Sequence, residues 1–331
     1  MFDLCSIGNA LVDIIISTDD AFLRANSITK GAMVLVGDDR SAALYERAGA
    51  AIEMSSGGSA ANTMAGFSSL GGTGAFLGKV GRDRFGAIFT HDLRAQDIDF
   101  ATKPSPDLPS GRCLIFVTPD AQRSMNTTLG AAAEFGPDDV EASVVQNAEI
   151  TYLEGYLFDK PKAQQAFLYA TRLAREAGRK RALTLSDVFC VSRHRKAFLE
   201  LIAGEIDILF ANENEIRELY ETQDLQAALH AARAHADIAI VTRGAQGAII
   251  AAGTNTYEVP AYPVAEIVDT TGAGDLFAAG FLYGLTHGKS LPACGHIGAI
   301  AAAEVISHFG PRPQKKLRDL ISKSADSGSS P

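Results

Sequence analysis

The sequence predicts an α/β fold in three layers, α/β/α, with a parallel sheet between helices and a small β-structured lid over one edge. Three observations predict it. Short, apolar, β-rich runs alternate along the chain with longer segments of helical period. Two early regions break that alternation, with strand-like pieces separated by Gly, Pro, Asp and Ser. Glycine-rich turns fall where strands end and helices begin, which is where sheets of this class gather ligands.

The clearest strands are AFLGKV (75–80), EITYLEG (149–155), ALTLSD (182–187), IDILFA (206–211) and IAIVTRG (238–244). Amphipathic stretches at 162–178, 192–203 and 224–235 separate the later ones and predict helices. A strand–helix–strand rhythm implies parallel pairing with both sheet faces covered. The two exceptional regions, about 13–50 and about 97–130, carry DIIIS, MVLVG, CLIFVT and RSMNTTL and are read as the lid. One domain is expected over 1–323, followed by SADSGSSP (324–331) as a disordered polar tail.

The 331 residues are 47% hydrophobic and 21% charged, enough for a large buried core. A formal charge of −9 argues against broad binding to nucleic acid or anionic membranes, which requires a dense basic surface. Cys5, Cys113, Cys190 and Cys294 are scattered without C-x-x-C pairing, so neither a disulfide framework nor a zinc site is suggested. The opening MFDLCSIGNALVDIII lacks a basic leader and places Asp3 and Asp13 in its apolar stretch, against a signal peptide. No apolar run reaches the roughly 18 residues of a membrane span. A soluble, cytoplasmic protein is expected.

Chemistry concentrates in EIVDTTGAGDLFAAGFLYGLTHG (266–288). Leu276, Phe277, Gly280, Phe281, Tyr283 and Gly284 mark a helix with close-packing faces, and Gly288 marks its stop. The amides of Gly272, Ala273 and Gly274 therefore stand at a helix N-terminus, a natural anion site. A carboxylate beside them repels phosphate unless a reaction needs a base there. Asp275 fits that role, taking a proton from an attacking hydroxyl while the amides hold phosphoryl oxygens. A carboxylate that merely complements the helix dipole accounts for Asp275 equally well. The stretch lacks the third glycine of G-x-G-x-x-G, GGTGAFLG (71–78) fails the same template, and no P-loop motif occurs.

Three further turns matter. In GGSAANT (57–63), Ser59 is placed to cap a helix, Gly57 and Gly58 allow close backbone approach, and Asn62 offers an amide to hydroxyls one turn on. An ordinary tight turn into a helix explains the same residues. In NENE (212–215), Asn212 and Glu215 are spaced to face one crevice and hold a hydrated Mg²⁺, though first-turn acids also serve helix dipoles. VTRGAQG (241–247) is another strand-end turn near a nucleotide position, carrying Thr242, Gly244 and Gly247.

Taken in order from GNALVD (8–13) through GGSAAN, GKVGRDRFG, NENE and VTRGAQG to DTTGAGD (269–275), these pieces resemble the ribokinase-like (PfkB) family of carbohydrate and nucleoside kinases over nearly the whole chain. GNALVDI, YLEGYLF and DILFANENE look closer to its nucleoside branch, the adenosine kinases, than to its sugar branch. The resemblance implies transfer of the γ-phosphoryl of ATP to a nucleoside 5′-hydroxyl, adenosine to AMP, as in purine salvage. Sugar kinase activity and an ATP-binding homologue without turnover are the alternatives. It further implies that Asn9, Asp13, Gly58 and Asn62 hold ribose hydroxyls, that Leu35, Tyr156 and Phe189 surround the base, and that Arg123 on the lid brings positive charge. Asp269, Thr271, Ser307 and Gly310 would form an activating K⁺ site. A monomer or homodimer is expected.

Overall fold

The computed structural model describes residues 1–120 and 122–327, arranged around a nine-stranded sheet. From edge to edge the strands are Asn255–Val259, Ala248–Ala252, Ile238–Thr242, Ile208–Asn212, Lys180–Thr184, Ala148–Glu154, Phe2–Ile7, Gly74–Leu77 and Ile98–Asp99. The first two pairings in that order are antiparallel and the other six parallel. Side-chain alternation decides the layers. Leu4, Ile150, Tyr152, Ala182 and Ile208 enter one core, against helices Ser59–Ser69, Arg84–Ala95, Ala273–Thr286 and Leu291–Val305. Cys5, Ile7, Leu153, Leu183 and Leu209 enter the other, against Pro161–Glu176, Val188–Glu205, Glu213–Leu219 and Leu225–Arg233. Fully buried aromatics such as Phe67, Phe167 and Phe281 anchor both layers, each contributing about 2 kcal/mol relative to an exposed ring.

The helix that carries Asp275 is held by close backbone contacts. A Cβ on Gly280 would come within 2.7 Å of the Gly298 Cα, so the Ala273–Thr286 and Leu291–Val305 helices meet almost backbone to backbone. Gly66 of the Ser59–Ser69 helix makes similar room for Leu276 and Ala279. These contacts fix where the helix N-terminus points.

A second sheet of five strands, in the order Met33–Leu35, Arg123–Gly130, Ser110–Val117, Leu11–Ser17 and Glu53–Gly57, stands apart from the first. Its boundaries correct the two lid segments expected from sequence. Glu53–Gly57 lies outside both segments yet pairs antiparallel with Leu11–Ile15. Its sequence, EMSSG, has no β-branched residue, so tertiary pairing rather than local propensity makes it a strand. Ile98–Asp99 lies inside the second segment but adds a parallel edge to the large sheet. The C-terminus differs too: a helix covers Leu317–Ser327, taking in 324–327 of the expected tail, while 328–331 lie outside the described residues. Leu317, Leu320 and Ile321 dock it on a small cluster with Leu70 and Leu276. Among the described residues no helix is long and apolar enough to cross a membrane.

Candidate active site

A cavity of about 770 Å³ opens between one face of the second sheet and the carboxyl ends of the parallel strands. Glu154, Thr184, Asn212 and Thr242, each the last residue of its strand, line it from below. The second sheet contributes alternate residues, as the pleat requires. Register places Asp13 opposite Cys113, Cys113 opposite Thr127, and Thr127 opposite Leu35, and all four face the cavity.

Gly272 begins the corner of the cavity that carries Asp275. Its φ of +82° and the Pro311 Cα only 2.8 Å from any added Cβ make glycine the residue that fits. The helix starts at Ala273, and Gly272, Ala273, Gly274 and Asp275 all line the cavity. Asp275 Oδ1 accepts a 2.6 Å hydrogen bond from Ser59 Oγ, and Oδ2 a 3.0 Å bond from Asn62 Nδ2. Burial raises the pKa of Asp275 above the usual carboxylate value, while these two bonds and the charge of Arg312 oppose that rise. One hydrogen bond to each oxygen leaves lone pairs for a hydroxyl in the cavity.

Asn9 and Asp13 line the cavity beside the second sheet. Asn9 is buried, its Nδ2 donates to Glu154 Oε1 at 2.8 Å, and its Oδ1 is a buried acceptor without a protein partner. Such an atom is costly unless a ligand donor satisfies it. The Asp13 carboxylate lies over Gly57, where a Cβ would approach it to 2.4 Å. Burial lifts Asp13 to about 6, against the pull of Arg312 and Arg123 and with the push of Asp275. Gly58, at φ +97°, brings its Cα close to the Asn9 carbonyl. Leu35, Tyr156 and Phe189 also line the cavity, with Leu35 and Phe189 well exposed in it.

At the far end, Asn212 caps the Glu213–Leu219 helix reciprocally with Glu215: Asn212 N donates to Glu215 Oε2 at 2.8 Å, Asn212 Nδ2 to Glu215 Oε1 at 2.6 Å, and Glu215 N to Asn212 Oδ1 at 2.9 Å. Both side chains reach the cavity. Burial lifts Glu215 to about 7. Each Glu215 oxygen thus already accepts one bond, a donor set that fits a hydrated Mg²⁺ held through water rather than by direct ligation.

The pfkB family carbohydrate kinase model matches residues 2–317. This chain is a member of the pfkB family of carbohydrate kinases. The kinase is an ATP-dependent phosphotransferase with an alcohol acceptor, of the class that acts on nucleosides or sugars. The probable sugar kinase of Rhizobium etli is 50% identical, with a TM-score of 0.90 and 98% of each chain covered. The adenosine kinase of Sinorhizobium meliloti is 49% identical, with a TM-score of 0.90 over 98% of this chain and 99% of that one. The adenosine kinase of Saccharomyces cerevisiae is 28% identical over 336 residues, 95% of this chain and 98% of that one.

Several expected site residues of the kinase have other partners. Asn62 lies behind the cavity wall with both ends of its amide engaged, on Asp275 and on Arg312 Nε at 2.9 Å, so it holds Asp275 and is not presented to the cavity. Ser59 is no cap: Gly58 holds the cap position, and the Ser59 hydroxyl turns to Asp275. Gly244 and Gly247 lie outside the lining, at φ +56° and +78° in the tight turn into Ala248–Ala252, and only Thr242 of that group reaches the cavity. Arg123, also outside the lining, pairs with Asp269 Oδ2 at 2.8 Å and lies over Phe309.

The same pairing bears on the expected K⁺ site. Asp269 Oδ1 accepts from Thr271 N and Oγ1, Oδ2 accepts from Gly310 N and faces the Arg123 guanidinium, and Ser307 Oγ donates to the Glu304 carbonyl. Four donors around one carboxylate do not make a cation cage, so these side chains do not fit K⁺. Sequence reasoning also missed Glu154 and Arg312. Glu154 accepts from Asn9 Nδ2 and from Ala60 N at 2.8 Å, tying Asn9 to the Ser59–Ser69 helix whose side chains bond Asp275, and burial lifts it to about 7. The E of YLEG, at the end of a strong strand, was the available signal.

Proposed function

We propose that this kinase transfers the γ-phosphoryl of ATP to the 5′-hydroxyl of a nucleoside, with adenosine giving AMP as its reaction. The observation that carries the acceptor class is the wall of the second sheet. Beyond Asp13 it presents Leu11, Met33, Leu35, Met125 and Leu129 to the cavity, an apolar surface suited to the face of a base and ill matched to a polyhydroxyl sugar. The S. meliloti and S. cerevisiae relatives, both named adenosine kinases, support the same reading.

In this reading Asp13 and the unpartnered Asn9 Oδ1 accept hydrogen bonds from the ribose hydroxyls, and the base lies along the apolar wall. Asp275 takes the proton of the 5′-hydroxyl as the new P–O bond forms. The amides of the Gly272–Gly274 turn, at the positive end of their helix, meet the charge on the transferred phosphoryl oxygens. Mg²⁺ supplies neutralising charge to the nucleotide phosphates, with Glu215 and Asn212 placed to hold its water shell. The second sheet closes over the acceptor and limits water attack.

An acceptor panel tests the proposal. With ATP and Mg²⁺, adenosine should give ADP and AMP in equal amounts and exceed ribose and fructose in kcat/KM. Preference for a sugar, the reading favoured by the name of the R. etli relative, would overturn the nucleoside assignment and leave the kinase chemistry standing.

A further inference from the structure

We infer that Arg312 is a positioning residue for Asp275, acting through the side-chain amide of Asn62. The inference rests on Asp275 being the base of the proposed reaction. Arg312 lies in the segment after the Leu291–Val305 helix and reaches back 250 positions along the chain to Asn62. A guanidinium has donors and no acceptor, so Arg312 Nε engages Asn62 Oδ1, at 2.9 Å. That contact settles which way the amide faces. The NH₂ group is left toward Asp275 and donates to Oδ2 at 3.0 Å. Without Arg312, the amide is free to turn its oxygen toward the carboxylate, replacing a donor with a repelling acceptor.

The charge of Arg312 contributes separately. Its two hydrogen bonds go to neutral amide oxygens, Asn62 Oδ1 and Gln96 Oε1 at 3.3 Å, and its Nη2 is buried without a partner. The guanidinium charge is therefore not cancelled by contact and acts across space on Asp13, Asp92 and Asp275. Burial lowers Arg312 itself to about 10, well above neutral pH, so it stays cationic in the working range. The groups facing Asp275 are otherwise acidic or neutral: Asp13 from the second sheet, Glu154, Tyr152 and Tyr156 from the large sheet and the turn after it, and the Ser59 hydroxyl. Two carboxylates beside a base favour its protonated, inactive form. Arg312 opposes them and keeps Asp275 both ionised and oriented.

The pH dependence of kcat at saturating ATP and acceptor tests this, because it reports the base in the substrate complex. For Arg312→Met, kcat should fall about tenfold at neutral pH and the acid limb should move up by at least about half a unit, since loss of the cation and of the oriented amide both favour the proton on Asp275. KM for the acceptor should change less than kcat. Asn62→Ala should move the limb in the same direction, and the double variant should go no further than the stronger single change. This second route keeps the test available if Arg312→Met does not fold. An unmoved limb in a folded variant, or additive effects in the double variant, would overturn the role of Arg312 while leaving the kinase reading intact. A wild-type protein that forms ADP with no acceptor would remove the reading, and the inference with it.

Discussion

The Ser59 hydroxyl donates a 2.6 Å hydrogen bond to Asp275 Oδ1, joining two helix N-termini separated by 216 positions in the chain. The first turn after the Gly57–Gly58 pair and the first turn after Gly272 are thereby locked together at the acceptor side of the cavity. Asp275 is held by side chains from elsewhere, with free lone pairs toward the cavity.

That geometry makes Asp275→Asn the most direct test of the chemistry. The variant keeps the size and most of the hydrogen bonds of the native side chain but cannot take a proton. Turnover should drop by about a hundredfold or more with acceptor binding nearly intact. Steady-state rates alongside calorimetric acceptor binding check it, and near-normal turnover would exclude the base role.

Asp13 supplies a pH signature. Burial raises its folded value to about 6, so the ionised form that accepts hydroxyl hydrogen bonds is lost as pH falls through that region. The acceptor kcat/KM should therefore rise with pH between 5 and 7, and Asp13→Asn should flatten that component while raising KM. Because Asp13 and Asp275 act on one another, the midpoint belongs to the pair.

Gly58→Ala should damage both fold and site. At φ +97° the backbone disfavours any Cβ, and this one would fall 2.3 Å from the Asn9 carbonyl oxygen. A loss of about 2 kcal/mol is expected, read by urea unfolding, together with weakened acceptor binding because Asn9 must shift.

Arg123 and Asp269 are nearly buried, at 11% and 9% side-chain exposure. Breaking that pair with Arg123→Ala should cost about 3 kcal/mol, measured by chemical denaturation, because Asp269 is left with an uncompensated charge. Exchange of KCl for tetramethylammonium chloride should leave wild-type turnover unchanged. Strong activation by K⁺ would overturn the conclusion that the side chains around Asp269 do not fit the ion.

Much of the fold could be read in advance because it rests on local pattern. IDILFA and IAIVTRG are short apolar runs, the length and composition of buried strands, and KAQQAFLYATRLARE keeps an apolar stripe at helical spacing. EMSSG escaped because nothing in its composition favours a strand. The site divides along the same line. Gly272, Asp275, Asn9, Asp13, Asn212 and Thr242 sit at turns whose chemistry shows in the sequence, and all face one cavity. Ser59, Glu154 and Arg312 act through partners 94 to 250 positions away, and no spacing rule reaches that far. Asn62 was visible as a functional amide, but its direction depends on Arg312, which only the folded chain brings beside it.

The row Asp13, Cys113, Thr127 and Leu35 crosses four strands of a sheet that contributes no atom to the base or to its amide cradle. In the proposed reaction, much of the wall that meets the acceptor and the carboxylate that takes its proton thus belong to separate architectural parts. Mutational drift at Cys113, Thr127 and Leu35 can then retune which molecule is accepted without touching Asp275, so one engine can pass between clients as lineages diverge.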